Sequence, residues 1–209
     1  EIINMTFICG MLKKTVGKNN IMCEAREVFF DRHFVDKMDS NKYLMCFTNG
    51  VVDFKNKEFR DGRATDYITK CTGVPYRPFS EIEADPSEEA APMIEKVRTF
   101  MSQLFPVPSL CQYMWDHLGA CLIGAKKEHA FNIYRGSGSN GKSMLADLMT
   151  HALGNYKGVL PVNYVSDKRK QIGSTSSEII QLKGARYVVM EEASKDTVMN
   201  EGVMKDVTG

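Results

Sequence analysis

The sequence predicts an α/β protein: a core with a parallel sheet, preceded by a smaller mixed α+β and helical part. Three observations predict this. A short apolar run, the glycine-rich octapeptide "GSGSNGKS" (136–143) and an amphipathic stretch follow one another between Ala130 and Leu153. A second apolar run, "RYVVM", ends in two carboxylates, Glu191 and Glu192. Strand, glycine loop, helix, strand is the order of such a core, because parallel strands need a crossover helix between them. Upstream, "YLMCFTNGVVDFKNKEFRDG" places two apolar runs about an Asn-Gly dipeptide, a hairpin signal.

From the N-terminus, residues 1–30 carry helix-like apolar spacing (Ile3, Phe7, Ile8, Met11, then Ile21, Ala25, Val28, Phe29), which "GKNN" at 17–20 is expected to break. Tyr43–Arg60 should form a small antiparallel β element, with Thr48-Asn49-Gly50 as its tight turn and "FKNKEF" as a second turn. Residues 75–92 hold four of the seven prolines and an acidic run, and read as a surface connection or a helix start. Two helices are expected over about 92–124. In the first, Met93, Ile94, Val97, Phe100, Met101 and Leu104 trace one face. The second opens with a Ser-x-x-Gln capping box at Ser109 and carries Leu110, Met114, Leu118, Cys121 and Leu122 to Gly124. Both stripes read as core packing, and Trp115 and His117 as structural residues.

"AFNIYR" (130–135) is expected to be a strand and "GSGSNG" a loop. "KSMLADLMTHAL" should be a helix with Leu145, Leu148, Met149 and Ala152 inward and Gly154 as terminator. This divides the chain into a front domain, 1–127, and the first part of a second domain, 128–209.

The 27 basic and 26 acidic residues nearly cancel, so any nucleic-acid contact needs a local patch, a loop or a neighbouring subunit. No apolar run approaches the roughly 18 residues of a membrane-spanning helix. The N-terminal Glu1-Ile2-Ile3-Asn4 has neither an initiator methionine nor a secretory layout, which suggests a piece of a longer protein. Six cysteines without a Cys-x-x-Cys pair and four histidines without metal spacing argue against zinc. They fit reduced thiols in a soluble, intracellular protein.

Gly136, Gly141, Lys142 and Ser143 meet the pattern Gly-x-x-x-x-Gly-Lys-Ser of a phosphate-binding loop. The glycines, with Gly138 between them, let the backbone of Ser137, Ser139 and Asn140 turn its N–H groups inward on a β-phosphate. The helix that follows adds the positive end of its dipole. Lys142 supplies a point charge between β- and γ-phosphates, and the Ser143 hydroxyl is a Mg²⁺ ligand. The ligand expected from these residues is therefore a nucleoside triphosphate with Mg²⁺. Glu191 and Glu192 would complete the site, one in the Mg²⁺ shell, partly through water, and the other orienting or deprotonating the attacking water. Which does which is open. A GTP switch would need Asn-Lys-x-Asp, which neither "NKYL" nor "NKEF" provides, and nothing beyond the loop itself matches a small-molecule kinase. "SDKRKQ" (166–171) is the densest basic cluster and reads as a solvated loop before it reads as a DNA or subunit contact. Phe47, Phe54 and Phe59 could stack on bases, but packing of the small sheet onto helices is the simpler reading.

"FNIYRGSGSNGKSMLADLM", "LKGARYVVMEEAS" and "VMKDVTG" resemble the superfamily 3 helicase core. The similarity is to the branch of poxvirus-type primase–helicases of large DNA viruses and of phage and plasmid primases. "YLMCFTNGVVDF" and "KEFRDGRATDYITKCTGVPY" are similar to the domain before that core. The likeness is close over about 43–76 and 131–209, and loose over 91–130. It implies an AAA+-like P-loop NTPase, with Gly136–Ser143 as Walker A, Glu191 and Glu192 as Walker B, and Lys205, Thr208 and Gly209 opening a third motif. It implies an ATP-hydrolysing DNA helicase that moves on single-stranded or forked DNA as a homo-oligomeric ring, a hexamer by expectation. It also implies work in the host cytoplasm or nucleus, and in many members a primase domain upstream, though nothing here resembles one. The sensor asparagine, DNA-touching hairpin and arginine finger would follow Gly209, so this segment is expected to bind nucleotide better than it hydrolyses it. The alternative is a nucleotide-dependent assembly or loading module without its own unwinding activity.

Overall fold

The computed structural model describes residues 2–84, 90–125, 130–166, 180–190 and 198–208. Two compact units divide the chain, Glu1–Met38 and Asp39–Gly209.

The first unit holds α1 (Ile2–Leu12), α2 (Thr15–Val28) and α3 (Phe34–Lys37). The break between α1 and α2 falls at Lys13–Lys14, and "GKNN" lies inside α2, against expectation. Gly17 is used for close approach instead of termination: a Cβ there would stand 2.4 Å from the Met11 carbonyl oxygen. Between residues 4 and 37 no side chain is buried.

In the second unit β1 (Leu44–Phe47), β2 (Gly50–Asp53) and β3 (Glu58–Arg60) form an antiparallel sheet in that order. The expected element is there, with a shifted turn. Phe47 pairs with Gly50, so Thr48 and Asn49 make the turn and Gly50 opens β2. The reason lies in the Asn49 carboxamide, which donates to the Tyr76 carbonyl at 2.9 Å and accepts from the Tyr76 N–H at 2.8 Å. Thr48 N–H donates to Val74 O at 3.1 Å, so the turn serves as an edge for residues 74–76. The second turn is as expected. Asp53 accepts from the N–H groups of Lys55 (2.9 Å) and Asn56 (3.1 Å), and Lys57 takes the left-handed conformation.

After α4 (Phe79–Glu83) come α5 (Ala90–Leu104) and α6 (Pro108–Ala120), the two helices anticipated over 92–124. Their start differs from the capping box read at Ser109. Val107 is the N-cap, Pro108 occupies the first turn, and no side chain caps α6. The locked φ of proline suits the first helical position and places Ser109 inside the helix.

α7 (Lys142–Leu153) leads to β4 (Lys157–Leu160), which is followed by α8 (Val162–Ser166). β5 (Tyr187–Met190) pairs in parallel with β4, from Lys157↔Tyr187 to Leu160↔Met190, and α9 (Glu201–Thr208) follows. The chain is thus a mixed α/β protein with a small parallel sheet, of two strands among the described residues. Ala130–Arg135 is not a strand: the run has no ladder partner among those residues, and Phe131 and Ile133 are exposed. An apolar run becomes a strand only where its N–H and C=O groups find a neighbour. On α7 the buried stripe is Leu145, Met149 and Leu153, whereas Ala152 is exposed.

One hydrophobic cluster joins Met45 of β1, Met101 of α5, Met114 and Leu118 of α6, the α7 stripe, Tyr156 and Tyr187. Phe47 and Phe54 pack against it, as the simpler reading had it. A smaller cluster of Leu160, Val165, Val203 and Met204 joins β4, α8 and α9.

Candidate functional site

The octapeptide forms the loop into α7. Gly138 (φ 91°), Ser139 (φ 45°) and Gly141 (φ 83°) all take positive φ, and Gly141 is the N-cap of α7. At Gly141 the positive φ strains any other residue, and a Cβ would also press on Leu104 Cδ1 of α5 at 2.9 Å, which that side chain would have to yield. Leu145 N–H donates to Gly141 O at 3.0 Å, and no side chain caps this end. The first-turn amides of Lys142, Ser143 and Met144 therefore face outward without intrahelical acceptors, at the positive end of the helix dipole. Lys142 Nζ donates to Asn140 Oδ1 at 2.7 Å. Both side chains lie over Gly136, where a Cβ would meet Asn140 Nδ2 at 1.7 Å and Lys142 Nζ at 3.0 Å.

Gly136, Asn140, Gly141 and Lys142 are thus brought together, with Ser143 exposed on the first turn of α7 and Ser137, Gly138 and Ser139 exposed along the loop. Outward amides, an ammonium group and a hydroxyl at one helix start can bind an anion such as a phosphate. Glu191 and Glu192 lie outside the described residues, as do Gly209 and residues 167–171 of "SDKRKQ". Thr208 donates its hydroxyl proton to Met204 O at 2.9 Å on α9, and Lys205 is exposed.

The other end of α7 is built differently, and sequence reasoning missed most of it. Gly154 (φ 51°) ends the helix as expected, but a Cβ there would also stand 2.2 Å from Thr72 O. Asn155 N–H donates to Cys71 O at 3.0 Å. Tyr156 Oη accepts from the Cys46 N–H at 2.9 Å and donates to Lys70 O at 3.2 Å. Burial pushes this phenol up to about 12. Arg186, just before β5, donates from its N–H to Tyr156 O at 2.7 Å. Its guanidinium donates to Lys42 O at 2.7 Å and to Leu44 O at 2.9 Å, and lies 5.6 Å from the centre of the Tyr156 ring. Gly124 leaves room for it, since a Cβ there would overlap Arg186 Nη1. Burial lowers the pKa of Arg186, against the opposing pull of Tyr156 and Asp39. Its Nε is enclosed without a partner among the described residues. The one available signal was a cation placed directly against an apolar strand run. His117 is packed, as expected: it stacks on Tyr113 at 6.2 Å, and burial lowers its pKa. Among the described residues no helix is long and apolar enough to cross a membrane.

Residues 5–106 match the family described as D5 N terminal like. A "putative helicase" of Acanthamoeba polyphaga mimivirus is 32% identical over 209 residues, covering 100% of this chain and 21% of the relative. A "putative helicase" of Invertebrate iridescent virus 6 is 31% identical over 175 residues, 83% of this chain and 17% of the relative. A "putative primase" of African swine fever virus is 22% identical over 191 residues, 91% of this chain and 19% of the relative. The chain is homologous to helicase-named and primase-named proteins of large DNA viruses, and it spans about a fifth of their length.

Proposed function

We propose that this chain is the Mg-ATP-binding segment of a superfamily 3 DNA helicase in a viral or mobile-element replication protein. The observation that carries the reading is the loop of residues 136–143, with its positive-φ glycines, outward amides and Lys142 at the start of α7, in a chain homologous to helicase-named proteins. In this reading residues 128–209 begin an AAA+-like P-loop core, and the residues before it are the domain that precedes such cores. Gly136–Ser143 hold the phosphates, Lys142 neutralises developing charge, and Ser143 with Glu191 and Glu192 holds Mg²⁺ and readies water. The longer protein would act as a hexameric ring on single-stranded or forked DNA in the host cytoplasm or nucleus, in some cases beside a primase domain.

A nucleotide-dependent assembly module is the second reading. The observation in its favour is the Glu1–Met38 unit, whose large apolar side chains from Met5 to Val35 are exposed.

Calorimetric titration of Mg-ATP into residues 1–209 tests the nucleotide site. Wild type should bind, and Lys142→Ala should weaken binding at least about tenfold, because a charge-assisted contact to phosphate is lost. Its thermal midpoint should hold, since among the described residues Lys142 donates to the exposed Asn140 alone. Equal affinity in the two proteins would remove the site.

A further inference from the structure

We propose that the β3 edge of the antiparallel sheet is a contact for single-stranded nucleic acid, with Phe59 and Tyr76 as its stacking platform. The partner class rests on the helicase reading; the platform rests on the geometry. Phe59, on the outer strand, is 41% exposed. Its ring covers Gly50, where a Cβ would come within 2.6 Å of Phe59 Cζ. Tyr76 meets Phe59 at 4.8 Å with the rings tilted by 33°, and meets Phe47 edge-on at 5.4 Å. The backbone of Tyr76 is held at both its N–H and its C=O by the Asn49 side chain. Rings fixed in advance lose little freedom on binding, and an exposed ring offers its face to any base.

Charge points the same way. Residues 55–77 contain six basic and three acidic residues, a net charge of +3, against +1 for the whole chain. Of the three acids, Asp66 is already held by both terminal nitrogens of Arg60, at 2.9 and 2.8 Å. Lys55 and Lys57 on the β2–β3 turn and Arg77 beside Tyr76 are exposed. Basic side chains flanking the exposed Phe59 ring and the half-buried Tyr76 suit a strand that presents phosphates and unstacked bases together.

Fluorescence anisotropy of a labelled oligothymidylate of about 20 nucleotides, long enough for one or more binding modes, tests this with residues 1–209. ATP and Mg²⁺ are left out, so failure of the nucleotide site would leave the result untouched. Phe59→Leu keeps an apolar cover over Gly50 and should weaken binding roughly five- to tenfold through lost stacking. Lys55→Gln with Lys57→Gln should flatten the log–log salt dependence by about 1.4, roughly 0.7 for each lost phosphate contact. The lysine pair, on an exposed turn, keeps the test decisive if Phe59→Leu fails to fold. Wild-type affinity in Phe59→Leu, an unchanged salt slope in the lysine pair, or duplex competing as well as single strand would each overturn the proposal. The first two outcomes would make the face a protein contact or plain packing.

Discussion

The two ends of α7 are held by opposite means. At its start, backbone conformation does most of the work: three positive-φ residues, a tight seat on Leu104 and one side-chain contact between Lys142 and Asn140, all around outward-facing amides. At its end, Gly154, Asn155 and Tyr156 are bound into residues 46 and 70–72, and Arg186 closes the junction from β5. An anion site needs donors that no protein group has claimed, so its own end of the helix cannot be secured by capping. The rigidity is supplied about 18 Å away, the length of twelve residues at 1.5 Å each. The hairpin block is thus the anchor of the loop's helix, although α4, α5 and α6 lie between them in sequence.

The largest effect should come from forcing a side chain into the anchored end. Gly154→Ala places a Cβ 2.2 Å from Thr72 O at a backbone conformation that L-residues rarely adopt. We expect a loss of about 3 kcal/mol or more in denaturant unfolding, from backbone strain and displaced packing together. Gly138→Ala, also at positive φ but with nothing within 4 Å of the new Cβ, should lose only about 1 kcal/mol. Equal losses would erase the contrast between the two ends.

What was legible in the sequence follows the same division. The loop into α7 could be read because glycines followed by an amphipathic stretch are local signals, as are the alternation and turn dipeptide of the hairpin. The anchor could not. Tyr156 meets Cys46 across 110 positions, and Arg186 meets Lys42 across 144, through side chains bonded to backbone groups. Such bonds leave no periodicity. Asn49 shows the same limit, since its dipeptide announced a turn but its side chain was claimed by Tyr76, which moved the turn by one residue. Ala130–Arg135 failed for the converse reason: apolar composition suggested a strand, and no neighbour among the described residues supplies the ladder.

Removing the clamp sharpens the comparison at an intermediate scale. Arg186→Met keeps an apolar stem beside Tyr156 but deprives Leu44 O of the guanidinium, while Lys42 O keeps the Gly124 N–H at 2.9 Å. Leu44 is buried, so its carbonyl has little access to water in compensation. A loss of about 2 kcal/mol is expected, moderated by release of the enclosed Nε that has no partner among the described residues. Chemical denaturation measures it. A variant as stable as wild type would mean that packing of Tyr156 alone holds β1 to β5.

The smallest effect, and the most specific, belongs to the Tyr156 hydroxyl. Tyr156→Phe deletes the bonds to Cys46 N–H and Lys70 O while keeping the ring in the core, and should cost about 1 kcal/mol near neutral pH. Its pH dependence separates it from a mere packing change. Burial raises the folded pKa to about 12, whereas an unfolded tyrosine titrates near about 10. A neutral phenol favoured by the fold binds its proton more tightly folded than unfolded. Its contribution is therefore fully present below about pH 10 and is lost as pH rises towards about 12. The bond from the Cys46 N–H works the other way, since it favours the phenolate, but burial is the larger influence. Burial also raises the pKa values of Tyr134 and Tyr187, so the wild-type decline in this window is shared among three phenols. Denaturation midpoints followed from pH 8 to 12 should fall less steeply in Tyr156→Phe than in wild type. Identical slopes would show that the anchored end of α7 owes its hold to shape and not to this hydroxyl.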